Sequence, residues 1–283
     1  MDSKNQISKI IEFRALHSNS FVLPNAWDAI SAKVFEECGF KAIGTTSAGI
    51  AVSQGYSDRN MPFQTAITSI ERIVHSVNIP VSVDIEDGYG QTIEETIETV
   101  RQVISTGAVG INIEDSTIDP EQPLYDISVQ QQKISAIKNL ADTLGIPLFI
   151  NARTDVYWSQ IGEPSTRMQE TIKRALAYQE AGADCIFVPG VTDRKMIQNL
   201  RKAVSIPINL LAGPDMPSLS ELSDIGIQRI SCGSAPFRAT TTLLKNIGEE
   251  IINHGTFHQM TSNVLSYQEV SKYTPPKFSL WGE

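Results

Sequence analysis

Asp84, Glu86 and Asp87 crowd together at the end of one apolar run, PVSVDIEDGYG, residues 80–90. Carboxylates this close repel one another at neutral pH, so the cluster implies a positive charge nearby, bound or built in. Similar runs end in Glu114 and Asp115 (AVGINIED, 108–115) and in Arg153 and Asp155 (PLFINARTD, 147–155). Converging carboxylates suit Mg²⁺, with Mn²⁺ as an alternative, because such a hard cation keeps several waters and takes only one or two direct protein ligands. Arg153 is a fixed cation whose planar fork matches a substrate carboxylate. The competing reading is a buried ion-pair network without metal, which would leave three or more acids against one arginine.

Eight short apolar segments recur along the chain, at 21–26, 41–47, 80–87, 108–115, 147–155, 183–190, 207–213 and 227–234, each followed by a helical pattern. Asp28 is placed to cap the first of these helices and Gly39 to end it, while Thr92 and Glu95 fit a capping box. Strands that are apolar throughout and separated by helices indicate a parallel sheet covered by helices, and eight such units match a (β/α)8 TIM barrel. A doubly wound open sheet is the alternative, but LPNAWDA after the first strand is unlike a glycine-rich phosphate turn. Residues 1–283 read as one barrel domain, with 254–283 as a C-terminal arm for oligomerisation or, failing that, a loose tail.

In such a barrel the site lies at the C-terminal ends of the strands. The polar residues gather there: Thr45, Thr46 and Ser47, then the acids already named, Asn209 in the seventh strand, and Ser231 and Ser234 near the eighth. Strand alternation turns Ser82, Asp84 and Glu86 into the barrel, with Asn112, Glu114, Asn151 and Arg153, and leaves Asp87 to the turn with Gly88 and Gly90. TTSAGIAVSQG reads either as a cradle of backbone amides for an anionic oxygen or as a plain small-residue turn.

The net charge of −9 and pI near 5.0 argue against nucleic acid or an anionic membrane as partner. MDSKNQISKI lacks the apolar core of a signal peptide, and no apolar run has spanning length, so a cytoplasmic protein is expected. Cys38, Cys185 and Cys232 lack metal-ligand spacing and read as reduced, buried small hydrophobes. His254 and His258 are spaced i, i+4 but have no acidic companion, and read as surface or interface residues.

PNAWDAISAKVFEECGFKAIGTTSAGIA, VSVDIEDGYG, GINIEDS and INARTD, in this order and spacing, resemble the isocitrate lyase/phosphoenolpyruvate mutase superfamily over nearly the whole chain. The resemblance implies a Mg²⁺-dependent (β/α)8 barrel that cleaves or forms C–C or C–P bonds beside a carboxylate. It also implies a homotetramer, a dimer of dimers, in which the eighth helix is exchanged between paired subunits. Carried over by motif, Asp84 is the direct metal ligand, Glu86 (where members usually have aspartate) acts through metal-bound water, and Glu114 is an outer ligand. Ser47, Ala48 and Gly49 match the segment that binds the substrate carboxylate, with Arg153 assisting and Asn209 as a further binding candidate. Asp58 matches an acidic residue in the mobile segment after the second strand.

The lid departs from the family. Members with lyase activity carry a KKCGH or KRCGH loop after the strand-four IED, and the phosphonate branch has a lysine and an Asn-Ser pair. Here the loop is STIDPEQPLYDIS (116–128), with none of these. Tyr125 is its one hydroxyl-bearing aromatic, read either as a proton donor or as a lid anchor. The expectation is a Mg²⁺-dependent carbon–carbon lyase acting on a small 2-oxo or 2-hydroxy carboxylate, most simply by oxaloacetate-type decarboxylation through a pyruvate enolate. Cleavage of a larger acid of the 2-methylisocitrate type is the second enzyme reading. Phosphonopyruvate-type C–P chemistry, or a non-catalytic barrel binding metal and carboxylate, are the alternatives.

Overall fold

Pro24 interrupts the first strand, because its nitrogen carries no hydrogen for the sheet ladder. In the computed structural model, which describes residues 3–274, a helix α1 (Ser3–Leu16) is followed by β1 (Phe21–Leu23) and, across Pro24, β2 (Asn25–Ala26). The chain continues through α2 (Ala29–Glu37), β3 (Ile43–Thr45), α3 (Ser47–Ser53), α4 (Phe63–Ser76), β4 (Val81–Asp84), α5 (Ile93–Ser105) and β5 (Gly110–Glu114). Then come α6 (Ile127–Leu144), β6 (Phe149–Arg153), α7 (Arg167–Glu180), β7 (Cys185–Val188), α8 (Arg194–Ala203), β8 (Ile208–Leu211), α9 (Leu219–Ile225) and β9 (Arg229–Ser231). The nine strand segments are parallel, in the order β1-β9-β8-β7-β6-β5-β4-β3-β2. Since β1 and β2 are one strand split at Pro24, this is the expected (β/α)8 barrel, and the eight predicted strands become nine segments.

The segments are shorter than their apolar runs. The run 80–87 is strand only over Val81–Asp84, because Glu86 turns into the left-handed region at φ 53°. Asp28 caps α2 through a capping box with Ser31, and Thr92 does the same for α5 with Glu95. Val83, Ile85, Ile111, Ile113 and Ile150 are fully buried, and burying such side chains contributes roughly 1.5–3 kcal/mol each.

α1, which the apolar pattern does not announce, stoppers the N-terminal end of the barrel. Ile10 and Phe13 are fully buried, and Gln6 Nε2 donates to the carbonyls of Ile104 (2.8 Å) and Ala108 (2.9 Å). His17 stacks on Phe149, with ring centroids 4.3 Å apart.

At the other end of the chain, α10 (Ala235–His254) buries none of its residues, and α11 (His258–Thr261) and α12 (Tyr267–Ser271) follow it, equally exposed. His254 and His258 are exposed. The stretch of the expected arm from 275 to 283 lies outside the described residues. Cys185 is buried and Cys232 half-buried, but Cys38, expected to be buried, is exposed, because it sits at the C-cap where α2 emerges from the core. Among the described residues, no helix is long and apolar enough to cross a membrane.

Candidate active site

The C-terminal ends of the strands open into a cavity of about 350 Å³ whose lining includes Ser47, Ala48, Asp58, Asp84, Glu86, Glu114 and Arg153. Asp84 ends β4. Its Oδ2 accepts hydrogen bonds from Ser47 Oγ (2.8 Å) and the Ser47 amide (3.3 Å), and its own amide donates to Thr45 Oγ1 at 2.9 Å. Its other oxygen, Oδ1, is buried with no hydrogen-bond partner. Burial and then the charge of Glu114 push the Asp84 pKa up, because both disfavour a second negative charge in this space.

Glu86, one turn beyond, accepts from the Tyr89 hydroxyl at 3.1 Å. Burial, and after it the charge of Asp84, raises its pKa to about 8. Asp87 faces away, as expected, and is not part of the cavity lining.

Glu114 ends β5 with both oxygens engaged. Oε2 pairs with Arg153 Nη1 at 2.8 Å, and Oε1 accepts from Ser116 Oγ at 2.6 Å. The rest of the Arg153 fork closes on Asp155, through Nε (2.6 Å) and Nη2 (2.9 Å), so in this state Asp155 takes the bidentate edge expected to bind a substrate carboxylate. Among the described residues no three His, Cys, Asp or Glu side chains form a ready metal-ligand set. Both oxygens of Glu114 are engaged, whereas Asp84 Oδ1 is a buried carboxylate oxygen with no partner, open to a cation.

The remaining predicted residues divide. Gly49 packs under the cavity rather than lining it: a Cβ there would lie 2.7 Å from Thr46 Cγ2. Asn209 is fully buried below the floor and accepts from Ser231 Oγ at 3.0 Å. Tyr125 stands outside the cavity, with its hydroxyl donating to Asp87 at 2.9 Å and Lys133 Nζ 3.8 Å from its ring centroid. Its pKa is pushed up to about 12 by burial and by Asp87. That geometry ties the loop down. Asp58 lies on the loop after α3, its pKa raised by partial burial and by Glu114.

Arg59, which no motif marks, is the second guanidinium on the cavity wall. Its Nη1 donates to the Thr117 carbonyl at 2.8 Å and its Nη2 to the Ser116 carbonyl at 3.1 Å, and Glu114 lies 3.7 Å away. Arg59 thereby fastens the lid loop, which folds back on itself at the Ser116–Leu124 bridge. The signal in the sequence is its place beside Asp58, in a turn where it takes φ 63°. Ile118, Trp158, Phe187 and Leu211 add apolar side chains to the lining, with the Phe187 ring centroid 5.7 Å from Arg153 Cζ.

A parallel (β/α)8 barrel with an acidic, arginine-bearing pocket at the C-terminal strand ends is the class that fold and site define. The family profile described as phosphoenolpyruvate phosphomutase matches residues 13–252, and the chain belongs to that family, within the isocitrate lyase/phosphoenolpyruvate mutase superfamily. A crystal structure of a Burkholderia cenocepacia J2315 protein described as a lyase/mutase superposes with a TM-score of 0.89 at 33% identity, covering 95% of this chain and 97% of that one. The 2-methylisocitrate lyase of Vibrio cholerae is 26% identical, over 88% of this chain and 83% of its own. The oxaloacetate decarboxylase of Rhodopseudomonas palustris is 27% identical, over 77% of this chain and 75% of its own.

Proposed function

We propose that the protein is a Mg²⁺-dependent lyase acting on a small 2-oxo or 2-hydroxy dicarboxylate and releasing pyruvate or its enolate, with oxaloacetate-type decarboxylation as the leading reaction. The observation that carries the reading is Asp84 Oδ1, a buried acceptor with no partner, on the wall of a pocket that also holds two guanidiniums. An unpartnered buried carboxylate oxygen is costly unless a cation or donor meets it. Asp84 would hold the metal directly, with Glu86 and Glu114 acting through its waters. When bound, Mg²⁺ supplies positive charge against the negative charge that builds on the substrate oxygen.

The chain's own groups do the rest. Arg153 and Arg59 neutralise the substrate's carboxylates, the former by exchanging Asp155 for the ligand. The lid carries no cysteine, lysine or histidine, and loss of CO₂ requires no proton from it. Asp58, with its raised pKa, is placed to hold the proton that carbon takes up afterwards. Wrapping the lid over the pocket excludes water from the reacting groups. One observation favours the cleavage of a larger acid instead: Ile118, Trp158, Phe187 and Leu211 are in the lining and suit contact with a hydrocarbon substituent.

The protein is expected to act as a homotetramer. Leu243, Leu244 and Ile252 are 47%, 66% and 84% exposed on α10, which buries none of its residues and touches the barrel through Phe237 against Trp27, leaving a face that suits exchange with a second copy. Purified protein incubated with Mg²⁺ and a panel of dicarboxylates should release pyruvate from oxaloacetate faster than the metal alone, and Asp84→Ala should abolish the difference. Turnover of phosphonopyruvate would instead place the chain in the phosphonate branch. Mg²⁺-dependent binding without turnover of any acid would make it a binding protein.

A further inference from the structure

Arg229, on β9, is fully buried inside the barrel, and among the described residues no carboxylate forms an ion pair with it. Its contacts are neutral: Nε to Ser231 Oγ at 3.4 Å, Nη2 to Asn112 Oδ1 at 3.3 Å, and the Phe13 ring centroid 5.9 Å below. Nη1 has no partner. Burial pulls its pKa down to about 10, which still leaves it cationic at neutral pH. Enclosing such a charge costs several kcal/mol, and an aliphatic side chain of similar volume would fill the same space without that penalty. A role in packing alone therefore does not account for it.

The contacts of Arg229 lead upward to the site. Asn112 also accepts from Asn151 Nδ2 at 2.6 Å, and Ser231 donates to Asn209, so a hydrogen-bonded chain crosses β6, β5, β9 and β8 beneath the cavity. Asn112 and Ser231 line that cavity, and Asn112 lies beside Asp84 in the β4–β5 register. Asp84 is, moreover, a carboxylate whose field reaches Arg229. Among the cavity-lining residues, six acids (Asp58, Asp84, Glu86, Glu114, Asp119 and Asp155) are set against two cations, Arg59 and Arg153.

We propose that Arg229 is a positioning residue that sets the charge of the site from below, its buried guanidinium offsetting the excess of carboxylates so that a dicarboxylate anion is accepted beside the metal. This rests on the function proposed above. The guanidinium touches no substrate. It acts through Asn112 and Ser231, which it holds in place, and through its field, which solvent screens little inside the barrel. A cation there repels a second cation and attracts an anion. Removing it should therefore move the two affinities in opposite directions, whereas a merely structural lesion weakens both.

The test compares full-length parent, Arg229→Met, Arg229→Gln and Arg229→Lys. Mn²⁺ affinity is read from the free-ion electron paramagnetic resonance signal, and oxalate affinity by calorimetry at saturating Mn²⁺. For the two neutral variants, Mn²⁺ should bind tighter and oxalate weaker, each by roughly tenfold or more, as expected for a unit charge about 10 Å away at an effective dielectric near 20. Arg229→Lys should keep both affinities within about twofold. Should Arg229→Met fail to fold, Arg229→Gln, which keeps a polar group toward Asn112, carries the comparison. Affinities that fall together, or that stay unchanged, in a folded neutral variant overturn the proposal. If the parent binds neither ion, the proposed function fails and this inference fails with it. If the parent binds both and the opposite shifts are missing, this inference alone is lost.

Discussion

Replacing Arg59 by alanine should free the lid. Its two hydrogen bonds, at 2.8 and 3.1 Å to the carbonyls of Thr117 and Ser116, hold the loop from the far side of the cavity. The ion pairs with Glu114 and Asp87, at 3.7 and 3.8 Å, add little by comparison. Charge-assisted hydrogen bonds of this kind contribute about 1–1.5 kcal/mol each at a half-buried site, so the closed lid loses about 2–3 kcal/mol. That corresponds to a shift of roughly 30- to 160-fold toward the open loop. Two assays read it. A glutamate-specific protease should cut at Glu121 faster in Arg59→Ala than in the parent, and oxalate should bind more weakly because the competent closed state is less populated. Arg59→Lys should fall between the two, since an ammonium cannot span both carbonyls as the fork does. Cleavage at Glu121 within twofold of the parent rate would refute the latch.

Other expectations concern stability. Tyr178 donates to Asp115 Oδ2 at 2.6 Å with both residues fully buried, so Tyr178→Phe should cost about 1.5–3 kcal/mol in denaturant unfolding; a loss below about 0.5 kcal/mol would show the bond to be dispensable. His17 is held neutral, its pKa lowered from 6.5 to about 3 by burial and then by Arg229. Between those pH values the unfolded chain binds the extra proton, so stability falls as pH drops through the window, by at most about 1.4 kcal/mol per pH unit. His17→Phe should thus lose less Tm between pH 7 and pH 5 than the parent does, and equal losses would contradict this. A Cβ at Gly110 would meet the Phe149 carbonyl at 2.8 Å, whereas one at Gly248 in α10 meets nothing within 4 Å. Gly110→Ala should destabilise by about 1–3 kcal/mol and Gly248→Ala should stabilise by up to about 1 kcal/mol, both read by calorimetry.

The barrel is legible in the sequence because its strands are buried on both faces and read as unbroken apolar runs, each closed by a helix with its own cap. The strand ends are less legible. Glu86 looks like the next inward residue of a strand, yet the backbone has already turned there, at φ 53°. α1 escapes notice because the face it buries includes Gln6 and Lys9 beside Ile10 and Phe13, so polarity does not sort by side. The acids of the site stand out through their clustering. Arg59 and Arg229 do not, since their partners lie 58 and 117 residues away in sequence, at Thr117 and Asn112. An arginine inside the apolar run IQRISCG is nevertheless a local contradiction that marks Arg229 for attention.

The break at Pro24 bears on how the molecule is made. β1 pairs with β9, and Ser20 bonds to Ile227 across 207 positions of sequence. During synthesis the first strand emerges about 200 residues ahead of β9 and has no neighbour on that side until the ninth segment leaves the ribosome. β2, past the proline, can join β3 early. The proline thus lets one half of the strand dock while the other waits, and the waiting half exposes an open edge throughout elongation. Nascent chains truncated before residue 229 should be the ones that chaperones hold.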